Sequence, residues 1–195
     1  MLSVIIATLD CERTLVPTLA TLVPGAAAGT VRDVIVTDGG SRDDTLEVAD
    51  IAGCEIIRSQ ASLGVRLREA TARARASWVM YLRPGAVLDS NWVDEVGRFV
   101  QQGEAQGVLD APAAVFRRMS RPGVGSSVLG EALSSLWIAL SSRPIPEQGL
   151  VIPKVLYDRI GRHRDVADPE MDLINRIGRR RIARLGSGIW GPADS

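Results

Sequence analysis

Val34-Ile35-Val36-Thr37-Asp38-Gly39-Gly40-Ser41-Arg42-Asp43-Asp44-Thr45 decides how this chain is read. The β-branched run Val34-Ile35-Val36 has the continuous apolar character of a strand buried in a parallel sheet. Asp38 then falls at the carboxyl end of that strand, where open α/β sheets put their ligands. Gly39-Gly40 permits a sharp turn and a close backbone approach. Ser41 is expected to cap a helix beginning near Asp43-Asp44, acids suited to the positive end of its dipole. A carboxylate at Asp38 can accept hydrogen bonds from a sugar hydroxyl or a base N–H. The plainer reading is a strand-to-helix turn with good capping chemistry.

Residues 2–10 supply a companion strand, apolar and ending in Thr8 and Asp10, and Cys11-Glu12-Arg13-Thr14 leads into an apolar helix. Strand, turn, helix, strand and Asp-Gly-Gly-Ser turn make a βαβ unit of ordinary length. On these residues the chain resembles the family 2 glycosyltransferases, which have the GT-A nucleotide-sugar fold. Their usual opening is a strand ending Pro-Thr/Leu-Asn-Glu, then one ending Asp-Gly-Gly/Ala-Ser-x-Asp-x-Thr. Here the first is Ala7-Thr8-Leu9-Asp10-Cys11-Glu12 and the second, nearly complete, runs from Asp38 to Thr45. The resemblance implies that Asp38 and Gly39, with Thr8 and Asp10 of the first strand end, hold the nucleoside.

Length and composition fit one domain. With 195 residues, 46% of them hydrophobic, the chain can bury a core without dividing. Residues 1–195 are therefore read as a single glycosyltransferase-like domain. Residues 1–100 form its nucleotide-sugar half, and 101–195 its acceptor half and C-terminal tail. The balance of 23 basic and 23 acidic residues argues against a nucleic-acid partner. Cys11 and Cys54 lack metal-ligand spacing and His163 is the only histidine, which argues against a thiol or imidazole metal site. Both cysteines are expected to be buried and reduced in a cytoplasmic protein. Met1 runs into a short apolar segment without a basic leader, so no signal peptide is expected, and no run is long enough to span a bilayer.

Cys54-Glu55-Ile56-Ile57-Arg58 reads as a third strand and residues 63–74 as a helix bearing Arg66, Arg68 and Arg73. The family has a Gly-Arg-x-x-Gln/Asn-x-Gly-Ala helix here, whose basic residue faces the diphosphate. Arg66 or Arg68 can serve, since guanidinium forks suit phosphate oxygens. A solvated arginine face is the alternative.

Trp78-Val79-Met80-Tyr81-Leu82 is the fourth strand, after which relatives carry an Asp-x-Asp or His-Ala-Asp-Thr motif for Mg²⁺ or Mn²⁺. This chain has Leu82-Arg83-Pro84-Gly85-Ala86-Val87-Leu88-Asp89, with Gly85 at the place of the metal-binding acid. No metal ligand is assigned. Asp89 is read as the N-cap of a helix over 90–95. Two explanations stand: Arg83 supplies the positive charge that a cation normally brings, or the fold has turned to binding or scaffolding.

The acceptor half of the relatives carries Gly-Asp-Gln-Gly and later Glu-Asp-x-x-Leu-x-x-Arg. Pro146-Glu147-Gln148-Gly149 and Pro169-Glu170-Met171-Asp172-Leu173-Ile174-Asn175-Arg176 stand in those places. The resemblance implies acceptor contacts from Glu147 and Gln148. Glu170 corresponds to the general base that deprotonates the acceptor hydroxyl. Asp168-Pro169-Glu170 also reads as a helix start, with Asp168 as N-cap and Pro169 at the first helical position.

Residues 125–140 read as an amphipathic helix, either core or a contact near a lipid-linked acceptor, with Arg117, Arg118 and Arg121 before it suited to lipid phosphates. Residues 186–195 read as a loose tail, pinned by Trp190. The expected whole is a single α/β domain of GT-A type, with a mostly parallel sheet flanked by helices. It would move a sugar from a nucleotide-diphospho-sugar to a glycan or lipid-linked hydroxyl in cell-surface assembly, with peripheral contact at the inner membrane face. The alternative is a non-catalytic relative that binds a nucleotide or a protein partner.

Overall fold

The computed structural model of the protein describes residues 1–119 and 143–191. At its centre lie β1 (Leu2–Thr8) and β4 (Trp78–Leu82), paired in parallel with Ile6 opposite Leu82. Both are buried on two faces, which is why apolar residues run through them without polar alternation. On the other edge of β1 lies β2 (Val31–Asp38), followed by β3 (Glu55–Arg58), both parallel. Beyond β4, β7 (Leu150–Pro153) runs antiparallel to it, and β6 (Ala113–Met119) antiparallel to β7. Then come β8 (Ile182–Trp190), parallel to β6, and β5 (Val87–Leu88), antiparallel to β8. The order is β3-β2-β1-β4-β7-β6-β8-β5, so one mostly parallel sheet joins both halves of the chain.

Six described helices cover the sheet: α1 (Glu12–Ala27), α2 (Thr45–Ile51), α3 (Leu63–Arg73), α4 (Trp92–Ala105), α5 (Lys154–Arg159) and α6 (Pro169–Ile177). The pleat sorts the core into two layers. Val4, Ile6, Met80 and Leu82 pack with Leu15 and Leu22 of α1 and with Trp92 and Val96 of α4. Ile5, Val79 and Tyr81 face the other way, onto Leu67 of α3, Leu156 of α5 and Leu173 of α6. The chain steps from β1 to β2 and β3 on one side, then crosses back to place β4 on the other. That reversal puts the switch-point crevice expected of such sheets at the carboxyl ends of β1 and β4.

Three local expectations are corrected. Ser41 caps no helix: α2 starts at Thr45, and the Ser41 hydroxyl donates to Asp38 and accepts from the Asp10 amide. Asp89 is not an N-cap either, since α4 begins three residues later behind Asn91. Its carboxylate accepts instead from the Gly188 amide (2.9 Å), the Ser187 hydroxyl (3.1 Å) and the Asn91 amide (3.0 Å). The partner is β8, which corrects the loose tail: residues 186–190 are strand, with Ser187 and Ile189 fully buried. Gly188 is in that strand because Met119 crosses it so closely that a Cβ would stand 2.6 Å from the Met119 Cγ. The apolar helix expected over 125–140 lies outside the described residues. Among the described residues, no helix is long and apolar enough to cross a membrane.

Candidate active site

Asp38 ends β2 opposite Thr8 of β1 and is fully buried. Its Oδ1 accepts from the hydroxyls of Thr8 (3.0 Å) and Ser41, and its Oδ2 from the amides of Gly40 and Ser41 (both 2.8 Å). Burial works against the charge, yet these donors hold the carboxyl below its ordinary value. Two lone pairs on each oxygen are thereby used, so Asp38 shapes the Gly39-Gly40-Ser41 turn from beneath. Asp10, at φ +45°, clasps the same turn from outside: its carboxylate accepts from the Arg42 amide (2.7 Å) and its amide donates to Ser41 Oγ (2.9 Å). Cys11 and Glu12 donate amides to Thr45 (2.8 Å) and Asp43 (3.1 Å), which finishes the stitching of the β1–α1 turn to the β2–α2 turn.

Two of the α3 arginines, Arg66 and Arg68, are drawn into the fold, while Arg73 stays exposed. Arg66, 8% exposed, donates from Nη1 to the carbonyls of Thr8 (3.1 Å) and Thr37 (2.9 Å) and lies against Gly39. Arg68 donates to the His163 carbonyl (3.2 Å) and so ties α3 to the loop before α6. Gln148 also serves the fold, its amide donating to the Phe116 carbonyl (2.9 Å) and accepting from Ile145 N (3.0 Å). These three side chains brace the crevice rather than project into it.

Arg83 has the other disposition. It follows β4, and β7 runs antiparallel to that strand with Leu150 opposite Tyr81, so the turn Pro146–Gln148 arrives at the carboxyl end of β4. Glu147 on that turn accepts from Arg83 Nη1. From the other side comes α6, with Asp168 as its N-cap (Met171 N to Oδ1, 3.0 Å) and Pro169 at its first position, as the sequence indicates. Glu170 in its first turn takes Arg83 Nε (2.9 Å) and Nη2 (2.5 Å) on a single oxygen, Oε2. Burial raises the Glu170 carboxyl, and Arg83 only partly offsets that. Burial equally works against the Arg83 charge, but its two carboxylates lift the guanidinium above its ordinary value.

Below this group lies a polar cluster that no local pattern announces. A small cavity is lined by Glu170, His163, Tyr81, Pro146, Leu150 and Ile174. His163 Nδ1 is 3.0 Å from the Tyr157 hydroxyl, which also accepts the His163 amide (3.1 Å), and Tyr81 shares a 2.7 Å bond with Thr71. The Tyr157 hydroxyl thus joins the His163 ring to the His163 backbone amide. Burial, with help from Arg176, lowers the imidazole to about 3, so it is neutral.

A divalent cation does not fit the donors present. At Gly85, φ is +90° and the amide donates to Thr14 O and Thr18 Oγ1, both at 2.8 Å. An aspartate there would be strained. Glu147 and Glu170 are committed to a guanidinium. Among the described residues, no three His, Cys, Asp or Glu side chains gather to hold an ion.

Solved structures with the same fold include glucosyl-3-phosphoglycerate synthase from Mycobacterium tuberculosis in complex with Mn²⁺, UDP and glucosyl-3-phosphoglycerate. It is 18% identical over 100% of this chain and 73% of that one, with a TM-score of 0.70. The same synthase with phosphoglyceric acid gives a TM-score of 0.72 at 18% identity, over 100% of this chain and 73% of that one. A fragment of S. aureus TarS gives 0.67 at 15% identity, over 98% of this chain and 60% of the fragment. These likenesses establish the fold, the GT-A type of α/β domain. No curated protein sequence matches the chain. The model of glycosyl transferase family 2 matches residues 3–164, from β1 through the Asp38 turn and Arg83 to the loop before α6, and the chain belongs to that family.

Proposed function

We propose that this protein transfers a sugar from a nucleotide-diphospho-sugar to a hydroxyl acceptor, in the assembly of cell-surface glycan or lipid. The observation that carries the reading is Arg83, held between Glu147 and Glu170 beside the carboxyl ends of β1 and β4. Its guanidinium fork receives the diphosphate and meets the negative charge that develops as this group leaves. Glu170 takes the acceptor hydroxyl proton while the bond from the anomeric carbon to the acceptor oxygen forms. The bond to the diphosphate breaks, and the diphosphate departs with the electron pair. Asp38, Thr8, Asp10 and Gly39 shape the wall on which the nucleoside rests, and Arg66 stiffens it from below. Residues 1–100 serve the donor and residues 101–195 the acceptor within one domain, so the reacting groups meet at the seam between them.

The M. tuberculosis synthase has been solved with UDP and with UDP-glucose, which makes a uracil nucleotide the first donor to try. Arg117 and Arg118, exposed at the end of β6, support a lipid-linked acceptor met at the cytoplasmic membrane face. A second reading, nucleotide binding without turnover, is favoured by one observation: Gly85 has φ +90°, which strains the acid that the resemblance implies there. Calorimetric titration with UDP and GDP, in EDTA and in Mn²⁺, tests the site. Binding is expected to survive EDTA and to weaken about tenfold or more in Arg83→Ala, the loss of a charged hydrogen-bonding group. Sugar release or transfer in EDTA selects the transferase; binding without turnover selects the second reading. No binding under any condition defeats both.

A further inference from the structure

Arg83 is the cation that the carboxyl end of β4 presents to a diphosphate, yet every hydrogen bond it makes among the described residues is to a carboxylate. Nε and Nη2 converge on Glu170 Oε2 and Nη1 goes to Glu147 Oε1. The Glu170 side chain is 15% exposed, whereas those of Arg83 and Glu147 are 36% and 34% exposed. Glu170 is thus the more deeply held partner, and among the described residues its counter-charge is the group that the donor also needs. A guanidinium cannot give its Nε–Nη2 edge to a carboxylate and to a phosphate at once.

We propose that Arg83 is an exchange switch: the donor diphosphate takes the guanidinium edge from Glu170, and that exchange releases Glu170 to act as base. This rests on the transferase reading above and adds an order to it. Before the donor arrives, both Nε and Nη2 bonds sit on Glu170, and its carboxylate is neutralised and turned to Arg83. After exchange, Glu170 is a buried carboxylate without its counter-charge, and such a group favours taking a proton. Glu147 stays on Nη1 and keeps the guanidinium at the mouth of the crevice. The other charges facing Glu170 are Asp168 at the start of its own helix and Glu147 on the opposing turn, and both act in the same direction as burial. Proton abstraction from an acceptor, or from water, is therefore coupled to an occupied donor site.

With the acceptor present, the ionised Glu170 takes the hydroxyl proton; with the donor alone, the same gain in proton affinity shows as partial proton uptake from solvent. That uptake is measured by titrating the full chain with UDP-glucose and with GDP-mannose in EDTA, near neutral pH, in buffers of different ionisation enthalpy. Neither donor's diphosphate diester titrates near neutrality, so any proton uptake belongs to the protein. Proton uptake by the wild type is expected to vanish in Glu170→Gln, which should also bind the donor about three- to tenfold tighter, since no ion pair then has to be broken. Glu147→Gln should still take up a proton on binding, though less than the wild type, since the Glu147 charge also favours a protonated Glu170. Donor binding without proton uptake, or with equal uptake in Glu170→Gln, overturns the switch and leaves the transferase reading standing. If Glu170→Gln does not fold, absence of proton uptake in the wild type alone overturns the switch. Failure of the wild type to bind either donor overturns the reading and the switch together.

Discussion

Glu170 and Asp38 are both acids at the head of the crevice, and their surroundings give them opposite tasks. Four donors occupy Asp38 and keep it ionised, so it acts on the turn and not on a substrate proton. Removing it leaves the Gly40 and Ser41 amides and the Thr8 hydroxyl without their acceptor. Asp38→Ala is expected to cost about 3 kcal/mol, the scale of hydrogen bonds to a buried charge, and urea unfolding would measure it. Glu170 is buried with a raised carboxyl, which suits proton transfer nearer neutral pH. Glu170→Gln is expected to lower turnover by about 10²–10⁴-fold even though it binds the donor more tightly. In the wild type, the acidic limb of kcat/KM should lie above the ordinary value of 4.5 for glutamate. A limb at or below that value would remove Glu170 from the role of base.

Helix α6 brings Glu170 to the crevice because its apolar face, Leu173, Ile174 and Ile177, seats on the layer that Tyr81 and Leu67 also face. Its approach is set by the loop before it, which lies so close to α3 that a Cβ at Gly64 would stand 2.0 Å from the Arg164 carbonyl oxygen and 3.3 Å from the Pro169 Cβ. Backbone cannot yield as a flexible side chain does. Gly64→Ala is therefore expected to shift the 161–169 loop, destabilise the fold by about 1–3 kcal/mol and lower kcat more than it raises donor KM. Thermal melts and steady-state kinetics of that variant check both parts. A kcat unchanged from wild type would mean that α6 is positioned by its core face alone.

Across the whole molecule, the buried polar cluster under the site makes stability depend on pH. His163 is neutral when folded because its imidazole is lowered from 6.5 to about 3. The unfolded chain then binds a proton that the folded chain refuses. Stability is full above about pH 6.5 and falls, by about 1.4 kcal/mol per pH unit, as pH drops toward 3. The raised carboxyl of Glu170 acts with the opposite sign, since the folded form protonates first. The His163→Gln variant should flatten the fall between pH 6 and about 4, as followed by urea midpoints; an unchanged slope would show that another group carries it.

The first half of the fold is legible without tertiary information: β1, β2, α3 and β4 stand where apolar runs, glycine turns and arginine spacing place them. Those signals are local, because a strand end or a helix start is specified by neighbours a few residues away. The sequence by itself also marked Asp168 and Pro169 as a helix start, and Asp38, Arg83 and Glu170 as members of a site. Which groups they meet is set by contacts far apart in the chain. Arg83 meets Glu147 across 64 residues of chain and Glu170 across 87, and no local pattern records a contact at that separation. The same holds for β8, whose glycines look like a tail until Met119 lies across Gly188 and β6 pairs with it. Local chemistry chose the elements, and the long-range closure of one sheet chose which charged groups meet at its edge.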